Sequence, residues 1–464
     1  MFVDKIIPYK YKKWTTLMGG FLIHLSLGSY YTFGNISQYL TSYLREYDFL
    51  DVRYSKSTLI LTAWGLSFSI SSIISGLLNS TLKINLKITI LIGCIIMNLG
   101  VVLTYYTIKM SFFLTLITYG ILFGIGCGFA YLGPLSMAMK WFSQKSGFSN
   151  SVILFGYGAS SIIFDQIQTI YINPDNYSPD KAYSSDHPDE KYFSRLHLDL
   201  LERIPNIFLI MAGIFTALQI IGIALLSEFN EKDINMTINE DRITILNEDE
   251  NLNEKNSLGV RFNSPNDGLT PLQALKNPVF YILTIIISTV TISPTFVVTF
   301  YKTFGQTYIN DDKFLALVGS VSNFFNAIGR IFWGLMIDRL PFKMCMLILS
   351  SCIVALSSTL YLTKFLGIKE LYILWISAIM FCQCGIFVLM ATVTAKCFGQ
   401  KNFTAIYALI FLVGIPSSIL TAVLSTQSDL FGWFWFFMIG SFLTLIGWFL
   451  CLVFNVKKSN GADI

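Results

Sequence analysis

The chain has 464 residues, 54% of them hydrophobic and 13% charged, with a formal net charge of +4. A mean hydropathy of +0.60 excludes an ordinary soluble protein, whose helices keep a polar face toward water. The small excess of positive charge sits between apolar runs and gives no basis for nucleic-acid binding.

Crossing a bilayer takes roughly 20 apolar residues per helix. In chain order, the predicted spans are 15–36, 57–78, 87–107, 112–139, 148–170, 205–227, 278–301, 314–337, 343–363, 370–392, 402–425 and 431–455. The expected fold is therefore an all-α membrane protein of twelve transmembrane helices. The basic start MFVDKIIPYKYKKW leads into an apolar run that is too long for a cleaved signal peptide and lacks a small-residue cleavage site. The first span should act as its own insertion signal. With the N-terminus inside, the inner loops collect Lys83, Lys87, Lys140, Lys145, Arg339, Lys343, Lys396 and Lys401, beside Lys10, Lys12 and Lys13 at the terminus. This excess over the short outer loops predicts both termini in the cytoplasm. The plasma membrane is the expected location, with an organelle membrane as the alternative.

Two polar stretches interrupt the spans. Residues 171–204 should lie outside. Residues 228–277 are rich in Asn, Glu and Asp and poor in aromatics, the composition of a flexible cytoplasmic linker. The expected organisation is a six-helix bundle over 1–227, the linker over 228–277, and a second bundle over 278–464. The bundles look duplicated: WFSQKSGFSNSVILFGYG (141–158) aligns without a gap with CFGQKNFTAIYALIFLVG (397–414). Phe142, Gln144, Lys145 and Gly158 pair with Phe398, Gln400, Lys401 and Gly414. Gly76 and Lys87 precede the third span much as Gly334 and Lys343 precede the ninth. Repeated six-helix halves place a substrate site between them near the midplane.

All eight cysteines lie in or beside apolar runs, so no disulfide framework is expected. Cys382 and Cys384, two apart on a helix, point in different directions and lack the spacing of a metal pair. Neither a metal nor another cofactor is expected, and no constellation suggests an enzyme.

Arg330 is the only Lys or Arg well inside any span. A cation there costs at least ~2.5–3.5 kcal/mol on insertion scales and should face a cavity or a partner. The guanidinium fork suits a carboxylate. The only acid within a span is Asp165, near the outer end of the fifth span, whereas Arg330 lies toward the inner end of the eighth. His24, about ten residues into the first span, is either a satisfied packing residue or a proton carrier. Tyr30, Tyr31, Tyr131, Tyr157 and Gln383 are candidates either to line a cavity or to pack.

GLMIDRLPFK (334–343) carries Gly334, Asp338, Arg339 and Lys343 at the spacing Gly-x-x-x-Asp-Arg-x-x-x-Lys. Gly permits close helix approach, and the acid and base form a charge latch at a helix end. The motif resembles the signature of major facilitator proteins between their eighth and ninth helices. YGILFGIGCGFAYLGPLSMAMKWFSQKSG (119–147) adds a small-residue surface at Gly120, Gly124, Gly126 and Gly128, with Pro134 as a kink. Together with NAIGRIFWGLMIDR (326–339) and FGQKNFTAIYALIF (398–411), it resembles the oxalate/formate antiporter and monocarboxylate transporter branch of that superfamily.

The resemblance implies a monomeric carrier in the lipid bilayer that moves a small organic anion by alternating access. It implies further that Arg330 meets the substrate carboxylate, that Tyr131 is a cavity aromatic, and that the 334–343 latch holds the inner gate. The chain departs from the family at several places. Asn326 stands where similar monocarboxylate transporters often carry Asp, and Asn35 where they carry Lys. Val413 stands where oxalate/formate antiporters carry Lys, and Asn79 and Ser80 replace the acid and base of the first-half latch. One cation suits a monoanion such as pyruvate, lactate or formate better than oxalate. The alternatives are a carrier for another carboxylate-bearing solute, such as an amino acid or a vitamin, and a sensor that does not transport.

Overall fold

The computed structural model describes residues 8–47, 52–184, 187–229, 268–309, 311–412 and 428–456. The first predicted span is broken: α1 (Tyr9–Leu27) passes through a tight 3-10 turn, Gly28–Thr32, into α2 (Phe33–Tyr47). There follow α3 (Tyr54–Thr81), α4 (Leu86–Thr107), α5 (Phe112–Trp141) and α6 (Ser146–Ile172). After the polar loop come α7 (Leu198–Leu225), α8 (Pro278–Gln306), α9 (Asp312–Arg339), α10 (Phe342–Leu366) and α11 (Lys369–Phe398). The chain closes with α12 (Phe403–Phe411) and α13 (Ser428–Val453).

A helix meets every predicted span, the eleventh as far as residue 412. Residues 413–427, Val413 among them, lie outside the described residues, as do 230–267 of the expected linker. Nine helices among the described residues are long and apolar enough to cross a membrane. α9 carries the most telling polar positions, with Asn323, Asn326, Arg330, Asp338 and Arg339 all along it.

The described residues form two compact units. One comprises 18–134 with 153–224; the other comprises the residues before 18, 135–152, and those from 225 onward. In the first, the α5 glycines do what their spacing predicts. A Cβ on Gly126 would sit 2.3 Å from the Met97 amide of α4, and one on Gly128 would sit 2.4 Å from the Phe68 carbonyl of α3. In the second, Phe296, Phe304, Tyr372, Phe436 and Phe437 pack into one buried cluster contributed by α8, α11 and α13.

The polar loop after α6 holds a small antiparallel hairpin, β1 (Lys181–Ser184) and β2 (His187–Tyr192), which the composition of 171–204 did not announce. Lys181 pairs with Tyr192 and Ser184 with His187. Its anchors come from α2 and α3: the Arg45 guanidinium lies 4.3 Å above the Tyr192 ring, and Tyr54 donates to the Lys191 carbonyl at 2.7 Å. Within the expected linker, Pro271–Leu275 forms a short helix opened by a capping box of Thr270 and Gln273.

Candidate substrate-binding site

Arg330 is 1% exposed. Its Nε and Nη2 donate to Asn326 Oδ1 at 3.4 and 3.2 Å, one turn earlier on α9. Asn326 is itself fixed by donating from Nδ2 to the Met380 carbonyl of α11 at 3.3 Å. Gly329 allows the two helices this close: a Cβ there would lie 2.7 Å from both the Phe381 carbonyl and Cys384 Sγ. Trp333 Nε1, donating to the same Phe381 carbonyl at 3.0 Å, locks the pair one turn further on. A neutral amide therefore orients the guanidinium. An Asp at position 326 would set a negative charge beside the guanidinium, whereas Asn aligns the fork without adding one. Gln383 is half-buried on α11, and no hydrogen bond among the described residues links it to Arg330.

In the other unit, seven aromatic side chains form a closed circuit. His24 lies 5.0 Å from Tyr131, which is 5.4 Å from Phe68; Phe68 lies 4.9 Å from Trp64, which stacks on Tyr30 at 3.7 Å. Tyr30 leads to Tyr31 at 5.6 Å, Tyr31 to Tyr157 at 5.4 Å, and Tyr157 back to His24 at 6.2 Å. Such centroid separations are those of favourable edge and offset ring contacts. His24 is fully buried, and its Nδ1 lies 3.1 Å from the Gly20 carbonyl. Because a carbonyl only accepts, Nδ1 carries a proton. Tyr31, 37% exposed, is the open member of the circuit. Trp64 and Phe68 were missed from sequence, although their spacing of four on α3 puts them on one helix face. Asn35 is outside the circuit. Its amide donates to Gln168 Oε1 at 3.1 Å and to Thr169 Oγ1 at 3.2 Å, tying α2 to α6.

The 334–343 segment has a different partner from the one its neighbours suggest. Asp338 Oδ1 accepts from the Gly147 amide at 2.8 Å and Oδ2 from the Phe148 amide at 2.7 Å. The carboxylate thus caps the N-terminus of α6, where free N–H groups and the helix dipole favour an anion. No ion pair between Asp338 and Arg339 is present among the described residues, and Arg339 is exposed. The expected Asp–Arg latch is replaced by a carboxylate–helix latch. Gly334 makes room for it: a Cβ there would lie 2.3 Å from Ser151 Cβ. Lys343 donates to the Leu452 carbonyl at the end of α13, at 2.6 Å.

Crystal structures of the Escherichia coli fucose:proton symporter FucP share this architecture. One matches with a TM-score of 0.62 at 15% identity, covering 95% of this chain and 98% of that one. A second, in the outward conformation, matches at 0.62 and 15%, covering 97% and 99%. The chain is thus a multi-pass integral membrane protein with the major facilitator fold.

Two Toxoplasma gondii proteins are similar over most of the sequence. Apicoplast pyruvate carrier 1 is 25% identical, across 90% of this chain and 84% of its own length. Apicoplast pyruvate carrier 2 is 24% identical, across 91% and 78%. The uncharacterised major facilitator-type transporter YhjX of Escherichia coli is 27% identical over a shorter stretch, 35% of this chain and 38% of its own. No family model matches the sequence.

Proposed function

We propose that the chain carries a small monocarboxylate, pyruvate first among them, by alternating access, with Arg330 as the carboxylate anchor. The observation that carries this reading is a buried guanidinium oriented by a neutral amide, Asn326. Two relatives named as pyruvate carriers supply the choice of substrate. The reading places the chain in the monocarboxylate and oxalate/formate branch, as a monomer of two six-helix bundles joined through 228–277, with both termini in the cytoplasm. The aromatic circuit of His24, Tyr131 and Tyr31 offers substrate contacts from its own unit, beside which Asn35 ties α2 to α6, and Gln383 is a further polar contact. Gly334 and Asp338 hold the inner gate through α6, with Arg339 and Lys343 beside them.

Purified protein in liposomes loaded with unlabelled pyruvate should accumulate labelled pyruvate by counterflow, saturably, in competition with lactate. Arg330→Ala should abolish the signal at equal incorporation. Normal counterflow in that variant would end the anchor assignment. Binding of pyruvate without any counterflow would point to a sensor instead, and counterflow of labelled amino acids alone would point to a different carboxylate.

A further inference from the structure

Asp165 stands in α6, within a span where an ionised carboxylate is costly and usually functional. Its Oδ1 is buried and has no hydrogen-bond partner among the described residues. The nearby donors are engaged elsewhere: the Asn35 amide serves Gln168 Oε1, Thr169 Oγ1 and, at 3.4 Å, the Asp165 backbone carbonyl. The Gln168 amide goes to Thr32 Oγ1 at 3.0 Å. No Lys, Arg or His forms an ion pair with Asp165 among the described residues. The titratable side chains facing this stretch of α6 are the phenols of Tyr119, from α5, and Tyr39, from α2. A small cavity edged by Ser29, Thr32, Tyr119 and Gln168 adjoins the same polar cluster. A carboxylate meant to stay ionised would hold donors at both oxygens, and one meant to stay neutral would give its O–H to an acceptor. This Oδ1 does neither, the arrangement of a group that changes state.

We infer that Asp165 binds one proton with each anion carried and releases it on the other side. The inference rests on Arg330 being the carboxylate anchor, and the charge count supports it. In the empty carrier, Arg330 and ionised Asp165 cancel. In the loaded carrier, the anion cancels Arg330 and the proton neutralises Asp165. Without the proton, the loaded state would cross with one uncompensated negative charge, against which the membrane potential acts at about 2.3 kcal/mol per 100 mV. The step is a simple protonation: an O–H bond forms on the carboxylate from water-borne H⁺ on entry and breaks on exit.

Two readouts on the full-length protein test this. The first is infrared difference spectroscopy on protein without substrate, titrated between about pH 5.5 and 8. A carboxylic-acid C=O band should grow on acidification in the wild type, vanish in Asp165→Asn and return, shifted, in Asp165→Glu. A band that survives in the Asn variant, or none in the wild type, would overturn the assignment. The second uses liposomes holding a trapped pH dye, with labelled pyruvate outside at acid pH. Net pyruvate uptake and the accompanying internal acidification should fall about tenfold in Asp165→Asn, while pyruvate-for-pyruvate exchange falls less than about threefold. An identical pH response in variant and wild type would overturn it. A wild type that moves no pyruvate yet shows the Asp165-dependent band would reject pyruvate as the substrate and support the proton site.

Discussion

The two halves of the chain, aligned on the motifs they share, place different chemistry at corresponding positions. At the offset of 258 that relates Gly76 to Gly334, Arg330 corresponds to Ser72, Asn326 to Phe68 and Asp338 to Ser80. In the second half, those positions hold a buried guanidinium, the amide that orients it, and a carboxylate capping a helix. In the first half, Phe68 belongs to the aromatic circuit, and Ser72 returns its hydroxyl to the Phe68 carbonyl at 2.8 Å. Ser80 bonds the Leu77 carbonyl at 3.3 Å, and neighbouring Asn79 accepts from Thr89 at 3.3 Å. The helix starts differ too. Asp338 caps α6, whereas the turn before α12 is held by Leu269, whose carbonyl accepts from Asn402 at 2.8 Å. At these aligned positions the charge lies in the second half and apolar or hydroxyl side chains in the first, so truncations there should be felt far more in the second half.

The largest asymmetry should appear at Arg330. Truncating a buried, hydrogen-bonded charge costs about 2–5 kcal/mol, so Arg330→Ala should lower pyruvate counterflow by ~30-fold or more. Ser72→Ala, its repeat mate, should leave counterflow within about twofold, as expected for loss of a local hydroxyl-to-carbonyl bond. Arg330→Lys should stay severely impaired, because an ammonium cannot reproduce the planar fork. Full activity in Arg330→Lys would show that charge alone suffices and would remove the case for bidentate recognition.

Asp338 comes next. Asp338→Ala leaves two helix-terminal amides without their carboxylate, a loss of about 1–2 kcal/mol. The melting temperature in detergent should drop by several degrees and transport should become leaky or slow. Asn79→Ala should cost about 0.5 kcal/mol or less, the usual range for a surface-end polar contact. Equal losses at the two positions would mean that the first-half segment also holds a helix end. Gly334→Ala probes the same contact sterically. Its Cβ would collide with Ser151, and overpacking of this kind costs about 1–3 kcal/mol.

Helix positions were legible because hydrophobic length is a local property of the sequence. Features that depend on distant partners were less so. Asp338 has Arg339 as its neighbour in sequence, which invites a local ion pair, yet its true partners, Gly147 and Phe148, are about 190 residues away. The hairpin at 181–192 is short and polar, and its stability comes from Tyr54 and Arg45 on helices that precede it by more than a hundred residues. Arg330 stood out because a lone deep cation is rare. In the sequence Asp165 reads only as a possible counter-ion for Arg330, since nothing there reveals that the Asn35 amide goes to Gln168 and Thr169 and the Gln168 amide to Thr32. Trp64 and Phe68 were hidden among other aromatics on an apolar run, and only their contacts select them.

The smallest expected effect separates the two titratable groups of the aromatic half. His24 is fully buried and Asp165 half-buried at membrane depth, and either type of side chain can carry a proton. Their surroundings differ. His24 donates from Nδ1 to the Gly20 carbonyl within its own helix and packs against the Tyr131 and Tyr157 rings. Protonating its second nitrogen would place a full positive charge among rings and helix backbone. Asp165 lies in a polar cluster with a cavity at its edge and an oxygen that takes no bond among the described residues. His24→Gln, which retains a polar side chain of similar length, should therefore leave the slope of uptake against pH unchanged between about pH 5.5 and 8. Only expression or stability should fall. Asp165→Asn should flatten that slope, because the proton that accompanies the anion has lost its carrier. The sign follows from the proton's role: wild-type uptake rises as the outside is made more acidic, and the Asn variant no longer responds. A flattened profile in His24→Gln with a normal one in Asp165→Asn would reverse the assignment and make the imidazole, not the carboxylate, the group that moves the proton.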